Sequence, residues 1–135
     1  MESLALGPIA QIALRVHDVP AAIAYYRDRL GLPFLFTAPT PGSGTGPGMA
    51  FFDCGGIRLL LGRPEGEADD HPGSVLYFRV EDMGAAHREL SQRGVEFVEG
   101  PGMVADLGRH ELWLAFFRDP WENPLALLAE IPKAV

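Results

Sequence analysis

An internal repeat constrains this chain more than any other feature of its sequence. The run "LRVHDVPAA", Leu14–Ala22, aligns with "FRVEDMGAA", Phe78–Ala86, at a shift of 64 residues. Further along, Phe51-Phe52 aligns with Phe116-Phe117 at a shift of 65 residues. A shared R-V-x-D-x-x-A-A pattern, followed by matching segments at a nearly constant offset, indicates the duplication of one supersecondary unit.

Each copy is predicted to contain one strand, one helix and three further strands. In the first copy Asp18 is a helix N-cap, Pro20 suits the first turn, and apolar residues at helical spacing continue to Gly31. Asp82 and Gly94 occupy the corresponding positions in the second copy. Apolar runs predict strands at 9–16, 33–37, 49–54 and 57–62, and then at 74–80, 95–99, 111–117 and 124–130. The copies are therefore βαβββ modules, predicted at 1–64 and 65–135.

Three segments are predicted to be irregular. Ala38–Gly48, "APTPGSGTGPG", is too rich in proline and glycine for regular structure, and we expect it to be mobile. Glu65–Gly73 is polar and reads as a linker between the modules. Pro101–Arg109, "PGMVADLGR", is predicted to be a loop.

Composition and charge narrow the class of partner. Of 135 residues, 47% are hydrophobic and 21% charged, as in ordinary globular proteins, and the net charge of −7 argues against nucleic acid or anionic membranes as partners. Cys54 is the only cysteine, so no intrachain disulfide is expected. We find no signal-peptide pattern and no apolar stretch of membrane-spanning length, so a cytoplasmic location is predicted.

The repeat resembles the vicinal oxygen chelate superfamily. That superfamily includes glyoxalase I, bleomycin-resistance proteins, extradiol dioxygenases, fosfomycin-resistance enzymes and methylmalonyl-CoA epimerase. The resemblance rests on "ALRVHDVPAAIAYYRDRLGL", 13–32, and on "FFRDPWENPLALLAE", 116–130, within one domain spanning 7–131. It implies an α+β fold in which two βαβββ modules form curved half-barrel sheets around a cleft, with the helices outside. Ala38–Gly48 is then expected at the rim of that cleft.

The resemblance also implies where metal ligands would lie. The metal enzymes of the superfamily draw ligands from the first and last strand of each module, and the equivalent places here are Gln11, Leu59, Val75 and Ala126. Three of these side chains cannot bind a metal, and a lone neutral amide is a poor ligand. We therefore expect no metal and no other cofactor.

The turn of the closing hairpin departs from the superfamily's usual D-P-D-G-N. Trp121 and Glu122 stand in place of Asp and Gly. Since a non-glycine residue tolerates positive φ poorly, we expect Asn123 to adopt that conformation instead.

Strand alternation indicates which side chains line the cleft. If Gln11 points inward, so does Arg15, and the repeat adds Tyr77 and Arg79. On strand 111–117 the alternation sends either Glu111, Trp113, Ala115 and Phe117 or Leu112, Leu114 and Phe116 inward, and the sequence does not decide between them. The predicted ligand-binding residues are Gln11, Arg15, Tyr77, Arg79, Glu111 and Trp113.

Arg15 and Arg79 occupy equivalent positions and need an acid between them if they meet. That acid is either an anionic group of a ligand or one of Glu111, Asp53 and Glu130. Two functions stay open on this basis. The protein either binds a small apolar and anionic molecule without metal, as bleomycin-resistance proteins do, or it is a metal-free lyase or isomerase with His17, His110 or Glu111 as acid–base groups. The oligomeric state is a separate expectation. We expect a homodimer, because exposed sheet edges are usually covered by a partner subunit.

Overall fold

The chain folds into two compact units, which we describe from a computed structural model covering residues 6–39 and 48–133. The units are Met1–His71 and Pro72–Val135. Each described unit is a four-stranded sheet with one main helix, so the predicted eight strands and two main helices are confirmed.

The sheet of the first unit has its first and last strands paired in parallel at one edge, and the other pairs are antiparallel. Residues 40–47, the centre of the predicted mobile loop, lie outside the described residues. The strands and helix of this unit are β1 (Gln11–Arg15), α1 (Val19–Ala24), β2 (Phe34–Ala38), β3 (Met49–Cys54) and β4 (Ile57–Gly62), in the sheet order β1-β4-β3-β2.

The second unit repeats this topology strand for strand. Its first strand again pairs in parallel with its last, and the remaining pairs are antiparallel. The repeat read from the sequence is thus confirmed as two βαβββ modules, and the fold class is α+β. The elements are β5 (Leu76–Arg79), α2 (Met83–Gln92), β6 (Phe97–Asp106), β7 (His110–Arg118) and β8 (Pro124–Pro132), in the order β5-β8-β7-β6.

Both helices begin where the sequence places their caps. The side chain of Asp18 accepts a hydrogen bond from the backbone N–H of Ala21 at 3.0 Å, and that of Asp82 accepts one from Ala85 at 2.9 Å. Each bond satisfies a backbone donor that has no partner within the helix.

The first helix is not the uniform α-helix predicted up to residue 30. After α1 the chain forms a π-helical turn, Tyr25–Arg29, which ends as the N–H of Leu30 donates to the carbonyl of Tyr25 at 3.1 Å. The wider turn accommodates two consecutive buried tyrosines, Tyr25 and Tyr26, whose rings meet edge to face at 5.4 Å. Apolar periodicity does not report such a turn, because it shifts the spacing by a single residue.

Each helix covers one face of its own sheet, and the packing is aromatic. In the first unit Tyr26 contacts Phe52, with 6.0 Å between ring centroids. In the second unit the ring of His87 lies 4.4 Å from that of Phe97, which lies 5.3 Å from Phe117. Among the residues of 6–39 and 48–133, no helix of the same unit lies on the opposite face of each sheet, and we call that face the helix-free face.

The prediction of a loop at Pro101–Arg109 is wrong for most of that segment. Residues up to Asp106 continue β6, which pairs with β7 through three register shifts. β6 is an edge strand, and proline is tolerated there because its missing N–H does not have to pair with a second neighbouring strand. The bulges absorb the residues that do not fit the ladder, and therefore glycine and proline do not end the strand here.

The predicted linker Glu65–Gly73 belongs largely to the first unit. It contains a 3₁₀ turn, Glu67–Asp69, and the division between the units falls after His71 rather than at 64/65. Asp70 is tied to the end of β1 by ion pairs described below.

The turn before β8 is built around a buried carboxylate. Asp119 Oδ1 accepts the backbone N–H groups of Trp121 and Asn123, both at 2.9 Å. Its Oδ2 accepts the side-chain amide of Asn123 at 2.7 Å, and both residues are buried. Glu122, at φ 68°, takes the positive-φ position, so the expectation that Asn123 would do so is wrong. Asn123 instead donates hydrogen bonds to Asp119 from both its backbone N–H and its side-chain amide.

Glu122→Gly should stabilise the protein. A left-handed conformation costs a non-glycine residue about 1–2 kcal/mol, and the extra flexibility of glycine in the unfolded chain returns about 0.5–1 kcal/mol of that. We expect a net gain of about 0.5–1 kcal/mol in the free energy of unfolding, measured by urea denaturation.

The matched control is Glu122→Ala. It removes the same carboxylate, which lies 3.6 Å from Arg118 in an exposed ion pair, but keeps the Cβ atom. If the alanine variant gains as much stability as the glycine variant, the backbone account of this turn is refuted.

Candidate functional site

The helix-free face of the first sheet is arranged in rows of side chains that run across the strands. Residues that are register partners in adjacent strands share a face, so each row can be followed from β1 through β4 and β3 towards β2. The polar row is Gln11, Arg58 and Asp53; the apolar row beside it is Ala13, Leu60, Phe51 and Phe36; the third row is Arg15, Gly62, Met49 and Ala38.

Aromatic rings and a guanidinium group stack where the polar and apolar rows meet. The rings of Phe36 and Phe51 are 4.8 Å apart at an angle of 32°. The guanidinium carbon of Arg58 lies 5.5 Å from the centroid of the Phe51 ring, within the range of a cation–π contact. Phe51 is buried, Arg58 is exposed, and Phe36 is 46% exposed. The face thus presents a positive charge over the buried Phe51 ring, and an accessible aromatic ring, Phe36, on the other side of Phe51.

Arg15 shares the face of Gln11, as predicted, but its charge is already matched. Its Nε lies 2.8 Å from Asp70 Oδ1, and its side chain is only 12% exposed. The nearby acid is therefore Asp70, which is not one of the three acids expected from the sequence. No sequence pattern links the two, because Asp70 lies in a segment that reads as a linker.

His17 binds the same carboxylate. Its Nε2 is 2.8 Å from Asp70 Oδ1. This hydrogen bond lowers the pKa of Asp70, and the nearby charges of His17 and Arg15 act in the same direction. The three side chains form a charged cluster that fastens the segment after β4 to the end of β1.

The helix-free face of the second sheet is mainly apolar. Tyr77 pairs with Ala126 in β8, and its ring meets Phe116 edge to face at 6.3 Å. Arg79 lies two residues further along β5, and its Nη1 is 3.8 Å from Glu130 Oε2 in an exposed ion pair. Glu130 is one of the acids expected beside Arg79. By register, this face also carries Pro124 and Leu128 in β8 and Leu112, Leu114 and Arg118 in β7.

The register decides which side of β7 shares the face of Tyr77. Phe116 pairs with Ala126, and Ala126 pairs with Tyr77, so the Leu112, Leu114 and Phe116 set lies on the helix-free face. Glu111 and Trp113 point to the other face, where Trp113 Nε1 donates to Glu111 Oε1 at 3.1 Å. This corrects the grouping of Glu111 and Trp113 with Tyr77 and Arg79; their role in binding stays a prediction.

The expected ligand place on the fourth strand is also displaced by one residue. Ala126 pairs with Tyr77, whose repeat partner Ala13 pairs with Leu60, so Leu60 is the true counterpart of Ala126. Leu59 is buried on the helix side. A slip of one residue exchanges the two faces of a strand, and for the same reason sequence reasoning missed Arg58.

The residues at these places do not fit a divalent metal. With the correction they are Gln11 and Leu60 in the first unit, and Val75 and Ala126 in the second. Three are aliphatic and carry no donor atom. Across 6–39 and 48–133, no group of three or more His, Cys, Asp or Glu side chains is arranged to hold a metal ion.

Comparison with known proteins identifies the family. The family model described as the Glyoxalase/Bleomycin resistance protein/Dioxygenase superfamily matches residues 8–127. The chain belongs to this superfamily, as the sequence resemblance indicated.

Individual proteins are similar to this chain in sequence or in fold. The chain is 30% identical over 129 residues to YraH, an uncharacterized protein of Bacillus subtilis strain 168, covering 85% of this chain and 92% of that protein. A superfamily member from Sphaerobacter thermophilus superimposes with a TM-score of 0.75 at 22% identity, covering 93% of this chain and 98% of that one. Lactoylglutathione lyase from Agrobacterium tumefaciens gives a TM-score of 0.68 at 23% identity, covering 93% and 95%. At these identities the structural similarity shows the fold alone.

In the described part of the chain, no helix is both long enough and apolar enough to cross a membrane.

Asp70→Asn should destabilise the protein in a pH-dependent manner. Because the folded protein lowers the pKa of Asp70, its contribution is present above the unfolded value of about 3.9 and is lost as pH falls through the lower folded value. The melting temperature of the variant should be below wild type near neutral pH, and the difference should close in strong acid.

Asp69→Asn is the matched control, since Asp69 is adjacent and exposed and forms no ion pair with the residues that the structure describes. Thermal unfolding followed by circular dichroism across the acid range measures both variants. A stability difference for Asp70→Asn that stays constant with pH would show that the charged cluster is not its cause.

Proposed function

We propose that the protein binds a small molecule with an apolar body and an anionic group on the helix-free face of the first sheet, and that it does so without a metal. The observation that carries this proposal is the boundary between the polar row of Gln11, Arg58 and Asp53 and the apolar row that contains Phe51 and Phe36. A molecule lying across that boundary would place its charge and its hydrocarbon surface on matching side chains at once.

Burial and charge support this arrangement. Sites for small molecules combine an apolar surface with a few polar groups that fix orientation. Ala13, opposite Leu60, contributes only a methyl group, which leaves room above the apolar row. Gln11 is exposed and offers both a donor and an acceptor next to Arg58.

Metal independence follows from the donor chemistry at the family's ligand places. The aliphatic side chains Leu60, Val75 and Ala126 replace the carboxylates and imidazoles that a divalent ion needs. Bleomycin-resistance proteins, which sequester a small molecule, are the branch of the superfamily that this reading favours.

The catalytic alternative rests on His17, His110 and Glu111, and two of these side chains already have hydrogen-bond partners within their own unit. His17 is held by Asp70, and Glu111 accepts from Trp113 on the helix side of β7. His110 begins β7. Because His110 and Glu111 are consecutive in that strand, their side chains point to opposite faces of the sheet, and binding is therefore the function we propose.

Titration of the isotopically labelled full-length protein with small acids tests the proposal. We expect octanoate, benzoate or 2-naphthoate to shift the backbone amide signals of the polar and apolar rows, and to do so equally before and after dialysis against EDTA. Elemental analysis of the purified protein should find far less than one transition-metal ion per chain.

Shifts confined to other surfaces, or binding that disappears on chelation and returns with a divalent ion, would contradict the proposed function. The spectra report the location of binding, and they require no assumption about a reaction.

We also infer that the protein is a homodimer. Val98, Met103 and Val104 are exposed on the edge strand β6, and burying such apolar side chains is the usual reason for association. Light scattering should give twice the chain mass of 14.7 kDa. A species of single-chain mass at all concentrations would refute this inference.

A further inference from the structure

We propose that Arg58, Phe51 and Phe36 form a subsite for a flat aromatic carboxylate, with the ring of the ligand on Phe36 and its carboxylate on Arg58. This inference rests on the proposed function and deepens it, because it assigns the anion to one arginine and names the chemical class of the ligand.

The first step concerns which arginine has its charge available. By register, four arginines lie on the helix-free faces, and one of them, Arg118, lies 3.6 Å from Glu122 Oε2. Arg15 is in contact with Asp70 at 2.8 Å, and Arg79 lies 3.8 Å from Glu130. Arg58 forms no ion pair with any carboxylate in 6–39 or 48–133. An incoming anion therefore displaces no carboxylate at Arg58.

The neighbouring carboxylate of Asp53 forms no ion pair with Arg58. Asp53 is the register partner of Arg58 in β3. Its Oδ1, however, accepts the backbone N–H of Gly56 at 3.0 Å, within the hairpin that joins β3 to β4. Asp53 thus serves the turn, and the guanidinium group of Arg58 lies over Phe51 instead.

The second step concerns the aromatic partners. Phe51 is covered, but Phe36, tilted against it at 4.8 Å, is 46% exposed. A planar ring laid on Phe36 extends this stack in an offset or edge-to-face geometry, which aromatic pairs prefer. A carboxylate on the same ring then reaches a guanidinium group that binds carboxylates through two parallel hydrogen bonds.

The third step is that Arg58 has no counterpart in the repeat. Leu60 corresponds to Ala126, so the position equivalent to Arg58 is Pro124, which pairs with Arg118. The same topology is therefore built without an arginine at this place. The fold does not require Arg58, and its position over Phe51, which stacks with the exposed Phe36, is better explained by a ligand.

Paired probes test the charge and the ring separately. Wild-type protein is titrated with 2-naphthoate and with 2-naphthamide, which has the same ring without the charge, and amide shifts give both affinities. We expect 2-naphthoate to bind about tenfold more tightly, as one charge-assisted contact would produce. Arg58→Gln should remove that advantage and leave 2-naphthamide unchanged, whereas Phe36→Leu should weaken both probes.

Arg63→Gln is the matched control. Arg63 is exposed, follows directly after β4 and forms no ion pair with described residues, so its loss changes net charge equally. It should leave both affinities at wild-type values. If it weakens 2-naphthoate as much as Arg58→Gln does, the effect is one of overall charge and the inference is overturned.

Two further outcomes separate this inference from the proposed function. If acid and amide bind equally at the rows and Arg58→Gln changes neither, the subsite is overturned while small-molecule binding stands. If Arg79→Ala, and not Arg58→Gln, weakens 2-naphthoate, the pair of arginines expected from the sequence holds the anion, and the inference is likewise overturned. If no acid or amide shifts any signal of this face, both fail.

Discussion

The parallel pairing of the first and last strand in each unit is the constraint on which the rest depends. Parallel neighbours cannot be joined by a tight turn, so a long connection must come between them, and here it consists of the helix and two further strands. The pairing also determines which side chains share a face of the sheet. Once Gln11 is beside Arg58 and Tyr77 is beside Ala126, alternation assigns the residues of the regularly paired strands to the helix side or the helix-free side. The chemistry of each face is a direct result of that assignment.

Much of this architecture could be read from the chain because the sequence contains it twice. The caps Asp18 and Asp82 are found at equivalent places, and both bond the backbone as expected. β3 and β4 have the predicted bounds, since short apolar runs on both sides of a Gly-Gly turn are a strong hairpin signal. A local signal that occurs in both copies, at the same offset, is stronger evidence for a structural element than one that occurs once.

What could not be read depends on contacts between segments distant in the chain. The register of β4 is set by its pairing with β1, and an error of one residue there concealed Arg58 and put Leu59 on the wrong face. The partner of Arg15 was missed because Asp70 lies 55 positions away in a polar segment. Family membership, now shown over residues 8–127, supplies the fold but not the ligand, which has to be argued from these faces.

The irregular pairing of β6 has a consequence for the behaviour of the protein in a crowded solution. An edge strand with exposed valine and methionine side chains would ordinarily invite strands from other molecules to add to the sheet. Three register shifts and the missing N–H of Pro101 interrupt the row of free backbone groups that such addition needs. The strand thus keeps apolar side chains available for specific contacts while its backbone resists fibril-like growth.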